Sequence, residues 1–368
     1  MINFAVGPVQ MAEEIRAVGA EEIPYFRTPE FSALMRENED WMKECMGAGV
    51  DARALFLTGS GTAAMEAAVI NLFDAGRDRL LIVNGGSFGA RFAKICGIHH
   101  IPYEEIRLEP GRALSDGDLA LWDGRCREAG LTGFLINACE TSTGVAYDME
   151  MVGAFCRRNG LVLAVDAVSS FLADEMRMEE WDVALALTGS QKALALPPGL
   201  SILVLRKAAI RRVEESRAES LYFDLKEYLK DGERGQTPFT PAVGVLLQLH
   251  ERLAGIRRRG IPAERARIRA QAEDFREKLG DLPFRIASES LSSALTPLTP
   301  VGTDREGKPV PARRIFEILK DEYGIYICPN GGELADRLFR VGHIGNLTPA
   351  DNDCLIAAWR DMQKRGLL

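Results

Sequence analysis

The amino-acid sequence predicts an α/β protein with a three-layer large domain, built on a mostly parallel seven-stranded sheet, and a smaller C-terminal α/β domain. Three observations predict this fold. Seven short apolar runs alternate with helix-forming stretches between residues 54 and 205, as in parallel sheets covered by helices. Five of these runs end in polar, glycine-rich clusters. Beyond about residue 262, charged helices alternate with short strands.

Each predicted element is a short apolar or amphipathic run bounded by turn residues. The large-sheet strands are predicted at 54–58, 79–84, 100–106, 133–138, 161–166, 182–188 and 200–205. Residues 208–240 have a polar, irregular pattern, and 242–258 are predicted to form a long helix. Later strands are predicted near 284–287, 294–299, 325–328 and 338–341. We therefore expect an N-terminal arm at 1–20, a large domain at 21–260 and a small domain at 261–368.

Composition narrows the class of protein. A hydrophobic content of 46% allows a large core, and a net charge of −8 disfavours a surface that binds nucleic acid. The arginine-rich stretch at 257–269 is interleaved with Glu264 and apolar residues, which favours an exposed helix. Seven cysteines without a CxxC pair indicate free thiols, and four histidines lack ligand-like spacing for a metal. Because no signal peptide or membrane-length apolar run is present, we expect a soluble, cytoplasmic protein.

Lys192 points most directly to chemistry. It follows the apolar run 182–187 through a turn of small residues, so its amine is expected at the carboxyl end of a buried strand, where it is poorly solvated. Such an amine is suited to form an imine with a carbonyl cofactor. Asp166 ends another apolar run and places a carboxylate at the matching strand end. Pyridoxal phosphate requires this pair, although each residue taken singly also fits a solvated lysine or a turn aspartate.

A phosphate site is predicted after the first strand of the large sheet. The run at 54–58 leads into Gly59-Ser60-Gly61-Thr62, and a strong helix former follows at 63–70. Glycines let the backbone approach a phosphate, whose charge is stabilised by the free amides and the positive end of the helix dipole. The alternative is an ordinary helix start, with Ser60 or Thr62 as its cap.

Two further clusters follow strand ends. Phe88 lies in a glycine-flanked segment, where its ring either stacks on a cofactor or fills the core beneath a loop. Thr141 and the hydroxyl residues beside it follow the run at 133–137, and they either hydrogen-bond a cofactor's phenolic oxygen or stabilise turns. Because ligands bind at the carboxyl edge of open α/β sheets, we expect these clusters to converge on one crevice.

The motifs GSGTAAMEAA, NGGSFGAR, ETSTG, VDAVSS and TGSQKAL, in this order, resemble those of the class V aminotransferases, which are fold type I pyridoxal-phosphate enzymes. Within this family the chain is most similar to the alanine–glyoxylate/serine–pyruvate and 2-aminoethylphosphonate–pyruvate aminotransferases. The resemblance extends from Gly7 to Gly345 and so covers nearly the whole chain. It implies pyridoxal 5'-phosphate as cofactor and a homodimer with active sites at the interface.

The resemblance also implies roles for individual residues. Lys192 matches the lysine that forms the Schiff base, and Asp166 matches the partner of the pyridine nitrogen. The other cofactor contacts that it implies are Ser60, Gly61, Thr62 and Gln191 at the phosphate, Phe88 and Val168 on the ring faces, Thr141 near the phenolic oxygen, and Thr240 at the neighbouring subunit's phosphate. Arg340 matches the arginine that binds the substrate carboxylate, with Gly7 also at the substrate; the alternative for Arg340 is a structural ion pair.

The implied activity is transfer of an amino group from a small donor to a 2-oxo acid such as pyruvate or glyoxylate. A 2-aminoethylphosphonate donor has no carboxylate and needs another cation, for which Arg91 is a candidate. Cys328 departs from the family's usual turn residue and raises the alternative of a cysteine-desulfurase-type lyase. A third alternative is a catalytically inactive protein that only binds the cofactor. The presence of the lysine, the aspartate and the arginine argues against this alternative. The sequence does not identify the amino donor.

Overall fold

The structure, a computed structural model, describes residues 1–368 and is organised around one large and one small β-sheet. The strands are β1 (Ile2–Asn3), β2 (Arg53–Gly59), β3 (Leu80–Asn84), β4 (Tyr103–Arg107), β5 (Gly133–Asn137), β6 (Cys139–Glu140), β7 (Val145–Ala146), β8 (Val162–Asp166), β9 (Val183–Gly189), β10 (Gly199–Leu205), β11 (Phe284–Ile286), β12 (Leu295–Pro300), β13 (Ile325–Tyr326), β14 (Cys328–Pro329) and β15 (Phe339–Gly342). The helices are α1 (Glu13–Val18), α2 (Pro29–Met46), α3 (Gly61–Leu72), α4 (Gly89–Ile98), α5 (Asp116–Ala120), α6 (Arg125–Glu128), α7 (Met149–Asn159), α8 (Lys207–Glu215), α9 (Leu225–Gly232), α10 (Val243–Arg259), α11 (Ile261–Leu279), α12 (Ala312–Ile318) and α13 (Pro349–Lys364). Short π-helical and 3-10 turns lie at Leu319–Tyr323 and Gly332–Leu334.

The large sheet has seven strands in the order β2-β10-β9-β8-β5-β3-β4. The five consecutive strands from β9 to β4 pair in parallel. β10 runs antiparallel to both of its neighbours, β2 and β9. The predicted mostly parallel seven-stranded sheet is therefore confirmed. Asp166 is paired across the sheet with Asn137 on one side and Leu187 on the other, so the carboxyl ends of β5, β8 and β9 lie side by side.

Both faces of the large sheet are covered. Along β3, Leu81 and Val83 belong to one hydrophobic cluster of 59 buried residues. Leu80 and Ile82, which alternate with them, belong to a second cluster of 28 buried residues. Because successive side chains of a strand point to opposite faces, the two clusters fill opposite sides of the sheet. This arrangement is the three-layer architecture that the alternation of strands and helices predicted.

The small sheet has four antiparallel strands in the order β11-β12-β15-β14. A separate cluster of 22 buried residues packs beneath it, and Phe284 lies with its ring centroid 4.6 Å from that of Trp359 on α13. The N-terminal strand β1 pairs in parallel with β13, and Phe4 belongs to the same cluster. The start of the chain is thus built into the C-terminal third. None of the helices is both long and apolar enough to cross a membrane.

The structure corrects three details of the sequence prediction. The segment 208–240 is not irregular, because it contains most of α8 and all of α9; their apolar faces are short and sit among many charges. The strand predicted at 100–106 begins at Tyr103. The strand predicted at 325–328 is divided into β13 and β14, which pair with different partners.

A fourth difference concerns the arginine-rich stretch at 257–269. It is not one exposed helix, because α10 ends and α11 begins around Gly260, whose φ is +90°. Glu264 on α11 is only 1% exposed. Arginines on both helices turn towards it, so ion pairing within the fold overrides the charged pattern that favoured solvent exposure.

Candidate active site

Asp166 lies at the end of β8 in a buried position, 5% exposed. Its carboxylate accepts hydrogen bonds from Asn137 Nδ2 at 2.6 Å and from the Val168 amide at 2.8 Å. Burial raises the pKa of Asp166 to about 6, and the negative charge of Glu140 adds to the rise, while these two hydrogen bonds oppose it. Both donors are uncharged. A cationic group at this carboxylate is therefore the partner that would restore its ordinary ionisation.

Lys192 follows β9 and is partly buried. Burial lowers its pKa from 10.5 to about 8; the field of Cys328 opposes this change and the positive charge of Arg340 adds to it. About a tenth of such amines are neutral at pH 7, against roughly one in 3,000 for an ordinary lysine. The neutral amine is the form that attacks a carbonyl, which is the role that the sequence analysis predicts for Lys192.

The N-terminal segment packs directly on this lysine. A Cβ added to Gly7 would lie 2.7 Å from Lys192 Cδ and 2.9 Å from the Gln191 carbonyl oxygen. The φ of Gly7 is +134°, in the region that favours glycine. Gly7 therefore lies against the predicted imine lysine, and a side chain at this position would displace it.

The turn that carries Lys192 is held by bonds that the sequence did not reveal. Ser190 Oγ donates to the Pro197 carbonyl at 2.6 Å. Arg252 on α10 donates to the carbonyls of Leu194 and Ala193 at 3.0 and 3.2 Å. Arg252 lies 60 positions from Lys192 along the chain, and no local pattern connects the two. Its role became visible only from the packing of α10 against the turn.

The predicted phosphate loop joins β2 to α3. Ser60 occupies the position before the helix but makes no side-chain capping bond, so the alternative of an ordinary Ser60 cap is not what the structure shows. A Cβ on Gly61 would lie 2.8 Å from Val168 Cγ2, which places this loop against the end of β8. Thr62 Oγ1 accepts a hydrogen bond from Arg91 at 3.0 Å. The first-turn amides of a helix have no intrahelical acceptor and can bind an anion here.

Phe88 precedes α4 and is only partly buried, so it does not fill the core beneath the loop. The Arg91 guanidinium carbon lies 4.6 Å from the centre of its ring. The amides of Phe88 and Gly89 donate to the buried carboxylate of Glu140 at 3.2 and 2.9 Å. Ser142 donates to the same carboxylate through its amide and its hydroxyl. Glu140, which the sequence analysis left without a role, thus joins the two loops that carry Phe88 and Thr141.

Thr141 is buried, and its hydroxyl lies 2.6 Å from Ser169 Oγ after β8. Its carbonyl accepts a hydrogen bond from Arg340 Nη1 at 3.2 Å, while Arg340 Nη2 donates to the Pro329 carbonyl at 3.0 Å. Arg340 is 9% exposed, and its buried Nε has no partner. No carboxylate lies at salt-bridge distance from this guanidinium. The alternative of a structural ion pair is therefore not what the structure shows.

The remaining predicted residues divide into two groups. Cys328 pairs with Arg340 across β14 and β15, and its effect on the pKa of Lys192 places it in the same site. Gln191 lies next to Lys192, with a buried side-chain oxygen that has no partner. Thr240, by contrast, is exposed and makes no hydrogen bond with these residues. The structure thus gathers every predicted site residue except Thr240.

Comparisons with known proteins agree with this arrangement. The pattern of the family described as aminotransferase class-V matches residues 25–287. A Synechococcus protein named soluble hydrogenase, small subunit, is 31% identical over 95% of this chain and 89% of its own length. The 2-aminoethylphosphonate–pyruvate transaminase of Pseudomonas fluorescens is 32% identical over 82% of this chain and 80% of its own. The alanine–glyoxylate aminotransferase structure from Nostoc sp. superposes with a TM-score of 0.89 at 26% identity, covering 98% of this chain and 95% of that one. Because the family pattern matches more than half of its residues and the Synechococcus relative covers nearly its whole length, this chain belongs to the class V aminotransferases, a family of pyridoxal-phosphate-dependent enzymes.

Proposed function

We propose that this enzyme moves an amino group from a small amino donor to a 2-oxo acid such as pyruvate or glyoxylate. The observation that carries the proposal is the placement of Lys192 and Asp166 at adjacent strand ends. One is an amine with a pKa of about 8, and the other is a buried carboxyl with uncharged hydrogen-bond donors. The names of the Pseudomonas fluorescens and Nostoc relatives state pyruvate and glyoxylate as their acceptors.

The residues of the site fit pyridoxal 5'-phosphate. Bound there, the cofactor supplies an electron-poor ring that stabilises negative charge developing at the substrate Cα. In our proposal Lys192 holds the aldehyde carbon and Asp166 faces the ring nitrogen. The other proposed contacts are Ser60, Gly61, Thr62 and Gln191 at the phosphate, Phe88 and Val168 at the ring faces, and Thr141 at the phenolic oxygen. The fit rests on three features of this chain: a helix start without a side-chain cap, a partly buried aromatic ring and a buried carboxyl whose hydrogen-bond donors are uncharged.

Individual side chains of this protein have separate roles in the proposed reaction. With the cofactor bound, Lys192 Nζ would take up the proton from the donor Cα and return it, and a pKa near 8 suits this amine to both transfers at neutral pH. Asp166 would hold the ring nitrogen in its protonated form, and that positive charge would lower the pKa of the carboxyl and keep it ionised. Asn137 and the Val168 amide fix the orientation of this carboxylate.

Arg340 is proposed to bind the carboxylate of the donor and of the 2-oxo acid. Its guanidinium is held by the carbonyls of Thr141 and Pro329 and carries no carboxylate partner. Because carbonyls accept hydrogen bonds without neutralising the charge, the guanidinium remains available for a bidentate contact with a substrate carboxylate. A phosphonate donor would need a second cation, and Arg91 is near because it contacts both Thr62 and the Phe88 ring.

We also propose a homodimer with active sites at its interface and a cytoplasmic location. Thr240 is exposed and away from its own site, as a residue that reaches the partner's phosphate must be. Ile23, Tyr25 and Leu221 are exposed apolar side chains, and a partner subunit would remove them from water. Sedimentation of the holoenzyme tests the assembly: a monomer that keeps full activity at dilution contradicts the interface, and recovery in a membrane fraction contradicts the location.

One second candidate function has an observation in its favour. Cys328 pairs with Arg340 across two neighbouring strands and influences the pKa of Lys192, so it lies near the proposed substrate site. A desulfurase-type lyase would use such a thiol as its nucleophile. The assay that separates the two functions is sulfide release from cysteine, compared in the wild type and in Cys328→Ala.

A stopped assay tests the proposed function. The holoenzyme is supplied with a panel of amino donors, including alanine, serine, aspartate and 2-aminoethylphosphonate, with pyruvate or glyoxylate as acceptor. We expect amino transfer from at least one donor to at least one acceptor, and none in Lys192→Ala. If no donor is converted while cysteine releases sulfide in a Cys328-dependent reaction, the transferase assignment is wrong and the lyase is correct. If the wild type catalyses neither reaction, the alternative of a catalytically inactive cofactor-binding protein is favoured.

A further inference from the structure

A cavity lies between the start of the chain, α10, α11 and the segment that precedes α13, and Ala195 of the turn that follows Lys192 forms part of its wall. Its volume is about 330 Å³. Residues that line it include Arg252, Arg259, Arg267, Glu14, Asn346 and Thr348. None of these is among the residues proposed to contact cofactor or substrate. Cavities that bind small molecules begin at roughly this size.

The three guanidiniums of this cavity converge on one carboxylate. Glu264 is 1% exposed, and it accepts hydrogen bonds from Arg252 at 2.6 Å, Arg267 at 2.9 Å and Arg259 at 3.2 Å. Burial alone would raise the pKa of Glu264, but Arg252 and Arg267 outweigh burial and lower it to about 2. The carboxylate is therefore ionised at every physiological pH. One negative charge is shared by three positive charges.

The excess charge leaves donors unused. Arg252 bonds through Nε and Nη2, whereas Arg259 and Arg267 bond through Nη2 alone. Arg252 thus keeps Nη1 without a protein acceptor, and Arg259 and Arg267 each keep Nε and Nη1. Glu14 is the one further acidic residue on the cavity wall, so the cavity with Glu264 carries a net positive charge. Arginines with free donors around a concave space are suited to bind an oxyanion in bidentate fashion.

Two of the three guanidiniums are also held in place by backbone carbonyls before any ligand arrives. Arg252 is anchored by the carbonyls of Ala193 and Leu194, in the turn that follows Lys192. Arg267 is anchored by the Gly345 carbonyl at 3.3 Å. Because these side chains are already ordered, a ligand does not have to order them, which favours binding.

We propose that this cavity is a binding site for a small oxyanion, separate from the cofactor and substrate site. The shared chemistry is a phosphate or carboxylate group with at least one full negative charge. The ligand's oxygens occupy the free donors of the three arginines, while Glu264 keeps the guanidiniums together. Asn346 and Thr348 supply further polar groups on the wall.

Calorimetric titration of the holoenzyme tests the site, with the cofactor saturating so that phosphate cannot enter the cofactor's phosphate loop. The titrants are inorganic phosphate and malonate at constant ionic strength, which distinguish a phosphate ligand from a carboxylate ligand. The variants are Arg259→Ala and Arg267→Ala. The matched control is Arg258→Ala, because Arg258 is on the same helix, donates to Glu251 at 3.2 Å and lies outside the cavity.

We expect saturable binding of one titrant to the wild type and to the Arg258 variant. Loss of one charge-assisted contact in Arg259→Ala should raise the Kd about tenfold or more. Thermal unfolding without titrant checks that the variants are folded, and Arg259→Gln serves instead if the alanine variant is not. Equal affinity in the wild type and in both cavity variants, or no binding of either titrant, overturns the proposal. Neither outcome depends on transaminase activity, so failure here leaves the proposed function untouched.

Discussion

The desolvated amine of Lys192 should make the cofactor-free protein less stable than it would be without that amine. Burial lowers the pKa of Lys192 from 10.5 to about 8, and at 1.36 kcal/mol for each tenfold change this corresponds to about 3 kcal/mol. Lys192→Met keeps an unbranched side chain of similar length and removes the charge. We therefore expect the substitution to raise the free energy of unfolding of the cofactor-free protein at pH 7, by up to about 3 kcal/mol.

The stability difference between Lys192→Met and the wild type should depend on pH. Below pH 8 the amine is protonated in both the folded and the unfolded protein, and the penalty of burying its charge is present in full. Between pH 8 and 10.5 the unfolded chain binds a proton that the folded protein does not, so the stability of the wild type rises with pH. The advantage of Lys192→Met should therefore shrink across this window and disappear above it.

Urea unfolding of the cofactor-free proteins at several pH values measures this difference, with protein concentration held constant because subunit association adds to stability. Lys94→Met on α4 is the matched control, since Lys94 is exposed and its replacement should change stability by less than about 0.5 kcal/mol. The claim that burying the Lys192 amine destabilises the protein would be refuted by either of two results: a Lys192→Met protein no more stable than the wild type at pH 7, or a stability difference that grows above pH 8.

Three further predictions concern the holoenzyme. Lys192→Ala should abolish turnover and the borohydride-reducible link to the cofactor, and survival of that link would show that another amine forms it. Arg340→Ala should leave the cofactor absorbance intact but slow the 2-oxo acid half-reaction about a hundredfold, because a charge-assisted contact is lost; an unchanged half-reaction excludes the carboxylate contact. Glu140→Gln should weaken cofactor binding about tenfold, since an amide nitrogen cannot accept from the Phe88 and Gly89 amides; equilibrium dialysis that gives the wild-type Kd, with unchanged circular dichroism, contradicts this.

The sequence predicted most of the large sheet because buried parallel strands leave a strong local signal. The runs that became β5, β8 and β9 are continuous stretches of apolar residues, which few other elements produce. The convergence of their ends also followed, since parallel strands have a common carboxyl edge. Lys192 and Asp166 could therefore be placed near each other from the sequence alone.

Other parts depended on contacts that no local pattern encodes. α8 and α9 were missed because each buries few apolar side chains among many charges. Glu140 was quoted in a motif, yet its role needs the distance between its carboxylate and the Phe88 amide. Arg252 reaches the lysine turn from another helix. The role of a side chain that holds a loop in place is evident only when its hydrogen-bond partners are known, and the partners here are distant along the chain.

The N-terminal strand has a consequence for the order in which the enzyme is completed during its synthesis. Phe4 donates its amide to Tyr326 and its carbonyl accepts from Gly342, and three residues later Gly7 lies against Lys192. Phe4 thus has to wait for two partners, Tyr326 and Gly342, that are translated much later in the chain. A nascent chain that carries the whole large sheet still lacks the segment that packs on its lysine, so the finished active site should form only after Gly342 has left the ribosome.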